Sequence, residues 1–339
     1  MLFYIKVFCL SFIISLLLVP VVRYFSLKFK NVDLPNDIKT HKGSVPLSGG
    51  IGVFLSFLIT LFVVRFSTSF PTGTLREIRY ILIGCFLILC IGLIDDFKKP
   101  KGIEAKFKFF LEVIIAVFMI TRGFSISFIE PKYIAYFLTV IWIVGITNSF
   151  NIIDIMDGLS SSQVLIASLA FLIISIPSEA VYVNVLSASL AGSVGSFIPY
   201  NMSDRFKIFL GDSGSLFCGF LISVISLGVG YSNTNPIAVY VPILILSVPI
   251  FDTLYVSVMR IKSGISPFKG TRDHFALRLE MMGFDRKRIV IAVSGFSLIV
   301  SFISYLITTV TLVYGIFFYI LVFVFFIFVA KVISKIKIS

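Results

Sequence analysis

The apolar run CFLILCIGLI, residues 85–94, is followed at once by Asp95 and Asp96 and then by FKK, residues 97–99. An uncharged stretch that closes on paired carboxylates is typical of a membrane-spanning helix that ends at a polar interface. Apolar runs of about 16 to 25 residues recur from one end of the chain to the other, and each can cross a hydrocarbon core of roughly 30 Å. The pattern predicts an all-α polytopic membrane protein.

The composition supports the same fold class. Of the 339 residues, 58% are hydrophobic and only 14% are charged, and the mean hydropathy is +1.05. A soluble domain with so few charges could not cover its own surface. No stretch long enough for a soluble domain separates the apolar runs, so we expect residues 1–339 to form a single integral membrane domain.

The apolar runs define about eleven predicted membrane spans, or ten if two of them merge. They lie near residues 3–22, 48–66, 79–94, 108–122, 133–147, 161–177, 181–199, 213–231, 236–259, 288–310 and 312–331.

The distribution of basic residues predicts the orientation of these spans. The loops after odd-numbered spans, together with the C-terminal tail, hold 23 of the 29 lysines and arginines. The positive-inside rule therefore places these loops and the tail in the cytoplasm and the N-terminus outside. Topology and attraction to anionic lipid headgroups explain the net charge of +12, so no nucleic acid partner is predicted.

Acidic and amide side chains gather in the loops of this cytoplasmic face. They are Asp95, Asp96, Asn148, Asn151, Asp154, Asp157, Asp212 and Asp273, together with His274. Acids at a span boundary are costly unless they are hydrated, paired or bound to a cation. Because adjacent carboxylates repel each other, the Asp95–Asp96 pair predicts a nearby cation, either a lysine or a divalent metal.

The segment FLGDSGSL, residues 209–216, places Asp212 in a glycine-flanked turn at the mouth of the eighth span. Glycines permit close approach of the backbone, and the N–H groups at a helix start favour an anion. A carboxylate beside an anion site is the usual arrangement for a Mg²⁺ ion that bridges protein and phosphate oxygens. The segment therefore predicts a phosphate site with a metal beside it.

A transporter or ion channel that uses intramembrane acids is the main alternative from a different functional class. Asp252 is the only acid well inside a late span, whereas a proton or ion path is expected to need several. The sequence also shows no inverted repeat of the kind that transporters carry.

Five segments occur in the order and in the loops in which one enzyme family carries them. They are PLSGG (46–50), GLIDDFKK (92–99), NSFNIIDIMDGL (148–159), FLGDSGSL (209–216) and SPFKGTRDHFALRLEMMGF (266–284). By these motifs the chain resembles the polyprenyl-phosphate N-acetylhexosamine-1-phosphate transferases, the glycosyltransferase 4 group that includes MraY, WecA and TagO. The resemblance covers nearly the whole chain and is nearest to the WecA- and TagO-like members.

The resemblance implies a Mg²⁺-dependent phosphoryl transfer, with Mn²⁺ as an alternative ion, in a bacterial inner or plasma membrane. An oxygen of undecaprenyl phosphate would attack the β-phosphorus of a UDP-N-acetylhexosamine, most simply UDP-GlcNAc, and UMP would leave. This would be the initiating membrane step of cell-envelope glycan synthesis. The implied partners are this donor, this acceptor and membrane lipids, and the family allows a homodimer.

The resemblance also assigns roles to thirteen residues. The metal ligands would be Asp212 and Asn151. The residues at the reaction itself would be Asp95, Asp96, Lys108, His274 and Arg278, with the last two contacting the sugar diphosphate. The substrate-binding residues would be Lys42, Asn148, Asp154, Asp157, Asn201 and Phe209, with Phe209 stacked on the uracil. Which acid, if any, deprotonates the acceptor stays open.

The last motif departs from the family pattern. MraY-like members carry consecutive histidines, and many WecA and TagO relatives have a second histidine three residues after the first, where this chain has Leu277. The missing imidazole favours a plain N-acetylhexosamine donor over the MurNAc-pentapeptide donor of the MraY type. An inactive member acting as a scaffold is a further alternative, against which the intact Asp95, Asp96, Asp157 and Asp212 argue.

Overall fold

The chain forms a bundle of thirteen α-helices, seen in a computed structural model that describes residues 1–33, 43–99, 102–178, 180–231, 235–267 and 270–336. The helices are α1 (Leu2–Lys28), α2 (Gly49–Ser67), α3 (Thr74–Phe97), α4 (Ala105–Thr121), α5 (Lys132–Ile152), α6 (Leu159–Ser175), α7 (Val181–Asn201), α8 (Gly211–Leu227), α9 (Val241–Ile245), α10 (Ser247–Lys262), α11 (Phe275–Met281), α12 (Arg286–Ile307) and α13 (Leu312–Ile333). Short 3-10 turns lie at Ile176–Ser178 and Pro236–Tyr240. Two antiparallel strands, β1 (Val32–Asp33) and β2 (Val45–Pro46), pair Val32 with Pro46.

Each predicted span coincides with a helix or with one bent unit of the bundle. Eight helices are long and apolar enough to cross a membrane, and the unit Pro236–Ile245 with Ser247–Lys262, bent by 66°, is a ninth candidate. The other two predicted spans correspond to α4 and α8, which have 17 residues each. The all-α polytopic fold is thus confirmed, while the number of eleven spans stays a prediction.

Helix α8 lies at the centre of the bundle, where it packs against α2, α3, α5 and α6. Every residue of α8 from Ser213 to Ser226 is buried. In contrast, α13 is almost entirely exposed on the outside of the bundle. The most enclosed helix of the protein therefore begins at the FLGDSGSL motif and fixes the position of Asp212.

The PLSGG motif brings the start of α2 against the start of α8. The N–H groups of Gly49 and Gly50 donate to the carbonyl oxygens of Phe209 and Leu210, at 2.9 and 2.8 Å. A Cβ atom on Gly50 would lie 2.2 Å from the backbone nitrogen of Gly214, so no larger residue fits at this crossing.

The helix ends that carry the motifs meet at one face of the bundle. The end of α3 contacts the start of α8 through Asp96 and the N–H of Asp212, and the end of α7 contacts the turn before α6 through Asn201 and the N–H of Gly158. With the α2–α8 contact, this confirms that loops far apart in sequence share one face. Which side of the membrane that face occupies stays a prediction.

Candidate active site

Asp96 joins the end of α3 to the start of α8. Its Oδ1 accepts the N–H of Asp212 at 2.9 Å, and its Oδ2 accepts the N–H of Ser213 at 3.0 Å. These N–H groups have no partner within their own helix, and a carboxylate is favoured at this positive end of the helix dipole. Gly211 has φ +73°, and a Cβ there would lie 2.4 Å from the Leu47 carbonyl oxygen, so this turn requires glycine.

Two lysines separate the three carboxylates at this junction. Lys99 Nζ lies 3.0 Å from Asp96 Oδ1 and 3.0 Å from Asp212 Oδ1. Lys108 Nζ lies 3.2 Å from Asp95 Oδ2 and 2.7 Å from Asp212 Oδ2. The cation that the sequence predicts beside the acidic pair is thus lysine in this structure. Three carboxylates facing two ammonium groups leave this cluster with a formal charge of −1.

Lys99 keeps its charge in this partly buried position. Burial disfavours the ammonium form, but the neighbouring Asp212 and Asp96 carboxylates outweigh it and raise the pKa of Lys99 above its usual value. A fixed positive charge next to Asp212 is suited to hold an anionic group of a substrate.

A polar cavity of about 810 Å³ opens beside this cluster. Seven of the thirteen residues assigned by the motifs line it: Asn151, Asp154, Asp157, Asn201, Phe209, Asp212 and His274. Asp95, Asp96 and Lys108 lie behind the lining, where they contact Asp212 or its backbone. The cavity therefore collects seven candidate residues, six from three separate motifs and Asn201 from outside them, and its volume suits a ligand of nucleotide-sugar dimensions.

One part of the cavity combines an aromatic ring with hydrogen-bonding groups. Lys207 Nζ lies 5.5 Å from the centre of the Phe209 ring and 2.5 Å from Asp157 Oδ2. Asn201 accepts the Gly158 N–H at 2.6 Å and donates to the Ile208 carbonyl oxygen at 3.0 Å. Asn201 thus ties the turn that carries Asp157 to the segment before Phe209, and this part of the cavity can bind a flat, polar ring.

Next to the carboxylate cluster, the cavity is lined by Asn151 and Asp154. Ser215, one turn into α8, donates its hydroxyl to Asn151 Oδ1 at 2.8 Å, which places this amide near Asp212. Burial, reinforced by the Asp212 carboxylate, raises the pKa of Asp154 to about 8. Without a bound cation, this shift favours the protonated carboxyl of Asp154, which can donate a hydrogen bond into the cavity.

His274 reaches the cavity from the loop before α11. Its Nδ1 lies 2.8 Å from Oδ2 of Asp252, which is fully buried in α10. The other carboxylate oxygen of Asp252 accepts the N–H of Phe275 at 3.0 Å. Asp252 is thus held by two consecutive residues of the last motif.

Of the assigned residues that the structure describes, Arg278 and Asn148 are turned away from the cavity. The structure differs from the expectation for Arg278, whose guanidinium is buried and donates to Asp273 Oδ1 at 2.9 Å and to the carbonyl oxygens of Ile333 and Ile336 at 3.2 and 2.6 Å. These contacts tie α11 to the end of α13 and direct the charge away from the sugar-diphosphate position predicted for it.

Asn148 is also turned away, because its amide donates to the buried Glu112 carboxylate and to the Val144 carbonyl oxygen. Its predicted substrate contact is therefore not supported by its placement. Lys42 lies outside the described residues, so its predicted role stays a prediction.

The cavity also has lining residues that the motifs did not single out. They include Asp33, Lys99, Lys207, Thr271, Arg272, Glu280 and Arg286. The quoted motifs contain Lys99, Thr271, Arg272 and Glu280, so the neighbourhood of these residues could have suggested them. Arg286, whose Nε lies 2.6 Å from Glu280 Oε1, and Lys207 sit outside the motifs, and only the fold brings them to the cavity.

The donor set suits a hard divalent cation that is shared with a substrate. Asp212 and Asn151 both carry oxygen ligands on the lining of this cavity. Among the residues that the structure describes, no three histidine, cysteine, aspartate or glutamate side chains form a closed metal site. Mg²⁺ typically binds through one or two carboxylates together with substrate phosphates and water, which is what this arrangement allows.

Comparison with known proteins places these residues in a family. Residues 78–230 match the sequence profile of glycosyl transferase family 4. The chain is 31% identical over 297 residues to the probable undecaprenyl-phosphate N-acetylglucosaminyl 1-phosphate transferase of Bacillus subtilis, with 84% of this chain and 80% of the relative covered.

Two further relatives carry related names. The undecaprenyl-phosphate alpha-N-acetylglucosaminyl 1-phosphate transferase of Escherichia coli K12 is 25% identical, over 84% of this chain and 78% of its own length. The decaprenyl-phosphate N-acetylglucosaminephosphotransferase of Mycobacterium tuberculosis H37Rv is 27% identical, over 80% and 74%.

Proposed function

This chain belongs to glycosyl transferase family 4, and we propose that it transfers GlcNAc-1-phosphate from UDP-GlcNAc to a polyprenyl phosphate, most simply undecaprenyl phosphate, with release of UMP. The observation that carries the proposal is the single cavity in which Phe209 and Asp157 lie on the same lining as Asp212 and His274. The names of the relatives support both the acceptor and the transferred group.

In the proposed reaction an oxygen of the acceptor phosphate forms a bond to the β-phosphorus of the donor. The bond from that phosphorus to the oxygen bridging it to the α-phosphorus breaks, and this oxygen leaves with UMP. The acceptor phosphate is already an anionic nucleophile, so the reaction does not require a base. Asp96 is instead occupied by two N–H groups and Lys99, which suits it to position the start of α8.

Such phosphoryl transfer depends on positioning and on neutralisation of charge. Lys99 and Lys108 hold positive charge against Asp212, and Arg272, Arg286 and Lys207 line the remaining cavity. We propose that Mg²⁺ binds at Asp212 and Asn151, where it would neutralise the diphosphate. The residual charge of −1 on the carboxylate–lysine cluster favours a cation there.

The donor preference rests on the loop before and within α11. Leu277 lines the cavity at the position where many relatives carry a second histidine, and among the described residues of this lining His274 is the single imidazole. We therefore propose that UDP-GlcNAc is used and that UDP-MurNAc-pentapeptide is not. The cavity faces the cytoplasm in this proposal, because the basic loops surround it.

The transporter alternative depended on Asp252 as an intramembrane acid. In the structure this carboxylate is fully buried and engaged by His274 and Phe275, at the back of the cavity. The placement accounts for the acid without an ion path.

The test is a panel of UDP-sugars incubated with purified protein, Mg²⁺ and undecaprenyl phosphate, with UMP and lipid-linked product measured together. The proposal expects both products from UDP-GlcNAc and neither from UDP-MurNAc-pentapeptide. Efficient use of the MurNAc donor, or UMP release that is independent of the acceptor, would contradict it.

A further inference from the structure

Asp252 and His274 form a buried acid–imidazole pair at the edge of the cavity. Asp252 lies in α10 with 0% exposure, and His274 directly precedes α11 with 4% exposure. The distance from His274 Nδ1 to Asp252 Oδ2 is 2.8 Å, and the Phe275 N–H donates to Asp252 Oδ1 at 3.0 Å. Both carboxylate oxygens are therefore occupied, and the orientation of the carboxylate is fixed by the backbone of α11.

Nδ1 of His274 is the ring nitrogen that meets the carboxylate, so the charge of Asp252 decides which ring nitrogen carries the proton. An ionised carboxylate can only accept hydrogen bonds, so Nδ1 of His274 must be the donor. The hydrogen bond made by one ring nitrogen sets the role of the other. Since His274 lines the cavity and Nδ1 is engaged behind it, Nε2 is the ring nitrogen left for a ligand.

We propose that Asp252 is a positioning residue that holds His274 as the Nδ1–H tautomer and presents its Nε2 to the donor. The inference rests on the proposed function for the identity of the donor, an anionic sugar nucleotide. In this arrangement Nε2 can accept a proton and then donate to a phosphate oxygen, while Asp252 stabilises the resulting imidazolium. The same logic orients histidines in catalytic and metal sites, where a carboxylate behind the ring fixes its tautomer.

The substitution Asp252→Asn would reverse the donor and the acceptor of this hydrogen bond. The carbonyl oxygen of the introduced amide would accept the Phe275 N–H, and its NH₂ group would face Nδ1 of His274. Two donors cannot share one hydrogen bond, so the ring would move its proton to Nε2 and accept at Nδ1. An Asp252→Asn protein would then have a neutral imidazole that can no longer take up a proton at Nε2.

Nitrogen-15 NMR of the imidazole rings tests this directly, because the chain contains only two histidines, His41 and His274. In an His41→Gln protein labelled with ¹⁵N-histidine and held in nanodiscs, the single ring should show the Nδ1–H tautomer when neutral. Asp252→Asn in the same background should convert it to the Nε2–H tautomer. An Nε2–H ring in the protein with Asp252 intact, or an unchanged tautomer in a folded Asp252→Asn protein, would overturn the inference.

A kinetic cycle separates positioning from a structural role. We expect Asp252→Asn to lower kcat by roughly ten- to a hundredfold, the range typical of a lost partner behind a functional histidine. In a His274→Gln background the same substitution should change kcat by less than twofold, because it acts through the ring. Multiplicative losses in the double variant would assign Asp252 a structural role and overturn the inference. Thr253→Val is the matched control, since the adjacent Thr253 hydroxyl is buried and has no hydrogen-bond partner among the residues that the structure describes.

Different results would contradict the proposed function and the inference about Asp252. If the tautomer changes as expected but no UDP-sugar is turned over, the proposed function is wrong and the role of Asp252 in fixing the ring stands. If UDP-GlcNAc is turned over but Asp252→Asn changes neither the tautomer of His274 nor kcat, the inference is wrong and the proposed function stands.

Discussion

Replacement of Lys108 by glutamine tests the carboxylate–lysine cluster most sharply. Lys108 is 7% exposed, and its ammonium group lies between Asp95 and Asp212, at 3.2 and 2.7 Å. Gln keeps a hydrogen-bond donor on a side chain one atom shorter but removes the charge, so two carboxylates would face each other without the cation between them. Breaking a buried ion pair in this way typically costs about 3–5 kcal/mol.

This cost falls on the folded state, whereas kcat/KM falls only by the interaction that Lys108 gains with the diphosphate in the transition state, for which about 1.5–3 kcal/mol, or roughly ten- to a hundredfold, is expected. The assay is acceptor-dependent UMP release at saturating Mg²⁺, with the amount of folded protein measured by size-exclusion chromatography. Lys106→Gln is the matched control, because Lys106 is exposed in the first turn of the same helix. A Lys108→Gln enzyme within threefold of the unmodified one, or an equal loss in Lys106→Gln, would refute the reasoning.

Three further predictions concern the metal, pH and stability. Asp212→Asn should abolish metal-dependent donor binding measured by calorimetry, since an amide is a weaker ligand for a hard cation. The control Asp204→Asn, at an exposed position, should leave that binding unchanged. Burial raises the pKa of Asp154 from 3.8 to about 8, so without divalent cations the folded state holds a proton that the unfolded state loses. The free energy of unfolding should therefore fall as pH rises between these values, by up to about 1.4 kcal/mol per pH unit. If the free energy of unfolding of Asp154→Asn fell with pH just as steeply, this would contradict the prediction. Arg278→Ala should reduce thermal stability and the fraction of folded enzyme, because the guanidinium binds Asp273 and the end of α13. The KM of the folded fraction for the donor should stay within about twofold, because the guanidinium does not line the cavity.

The sequence was sufficient for the fold class and for the set of loops that meet at the site. Apolar runs have to become helices in lipid, because every backbone hydrogen bond must be made within the segment. The charge distribution then placed the motif loops on one face, and the contact between Asp96 and the start of α8 confirms that they meet.

The orientation of individual side chains could not be predicted in the same way. Arg278 and His274 are four residues apart in one motif, yet one contacts the end of α13 and the other lines the cavity. The difference depends on the packing of α11 against α10 and α13, which no local pattern encodes. Asn148 likewise turns to Glu112 on a neighbouring helix, although the resemblance assigned it to substrate binding.

The role of Asp252 was hidden for a related reason. An acid within an apolar span signals a polar partner or a function, but the partner, His274, lies 22 residues later, beyond a loop. Lys207 and Arg286 gave no signal, because basic residues at this face are already expected from topology.

The central claim is that a phosphoryl group, and not the sugar alone, moves to the lipid. The most direct measurement follows ³²P placed at the β-phosphorus of UDP-GlcNAc during incubation with the purified protein, Mg²⁺ and undecaprenyl phosphate. The account predicts that the label appears in the lipid product in a one-to-one ratio with released UMP. Label that remains in the nucleotide as UDP, with an unlabelled sugar on the lipid, would contradict it.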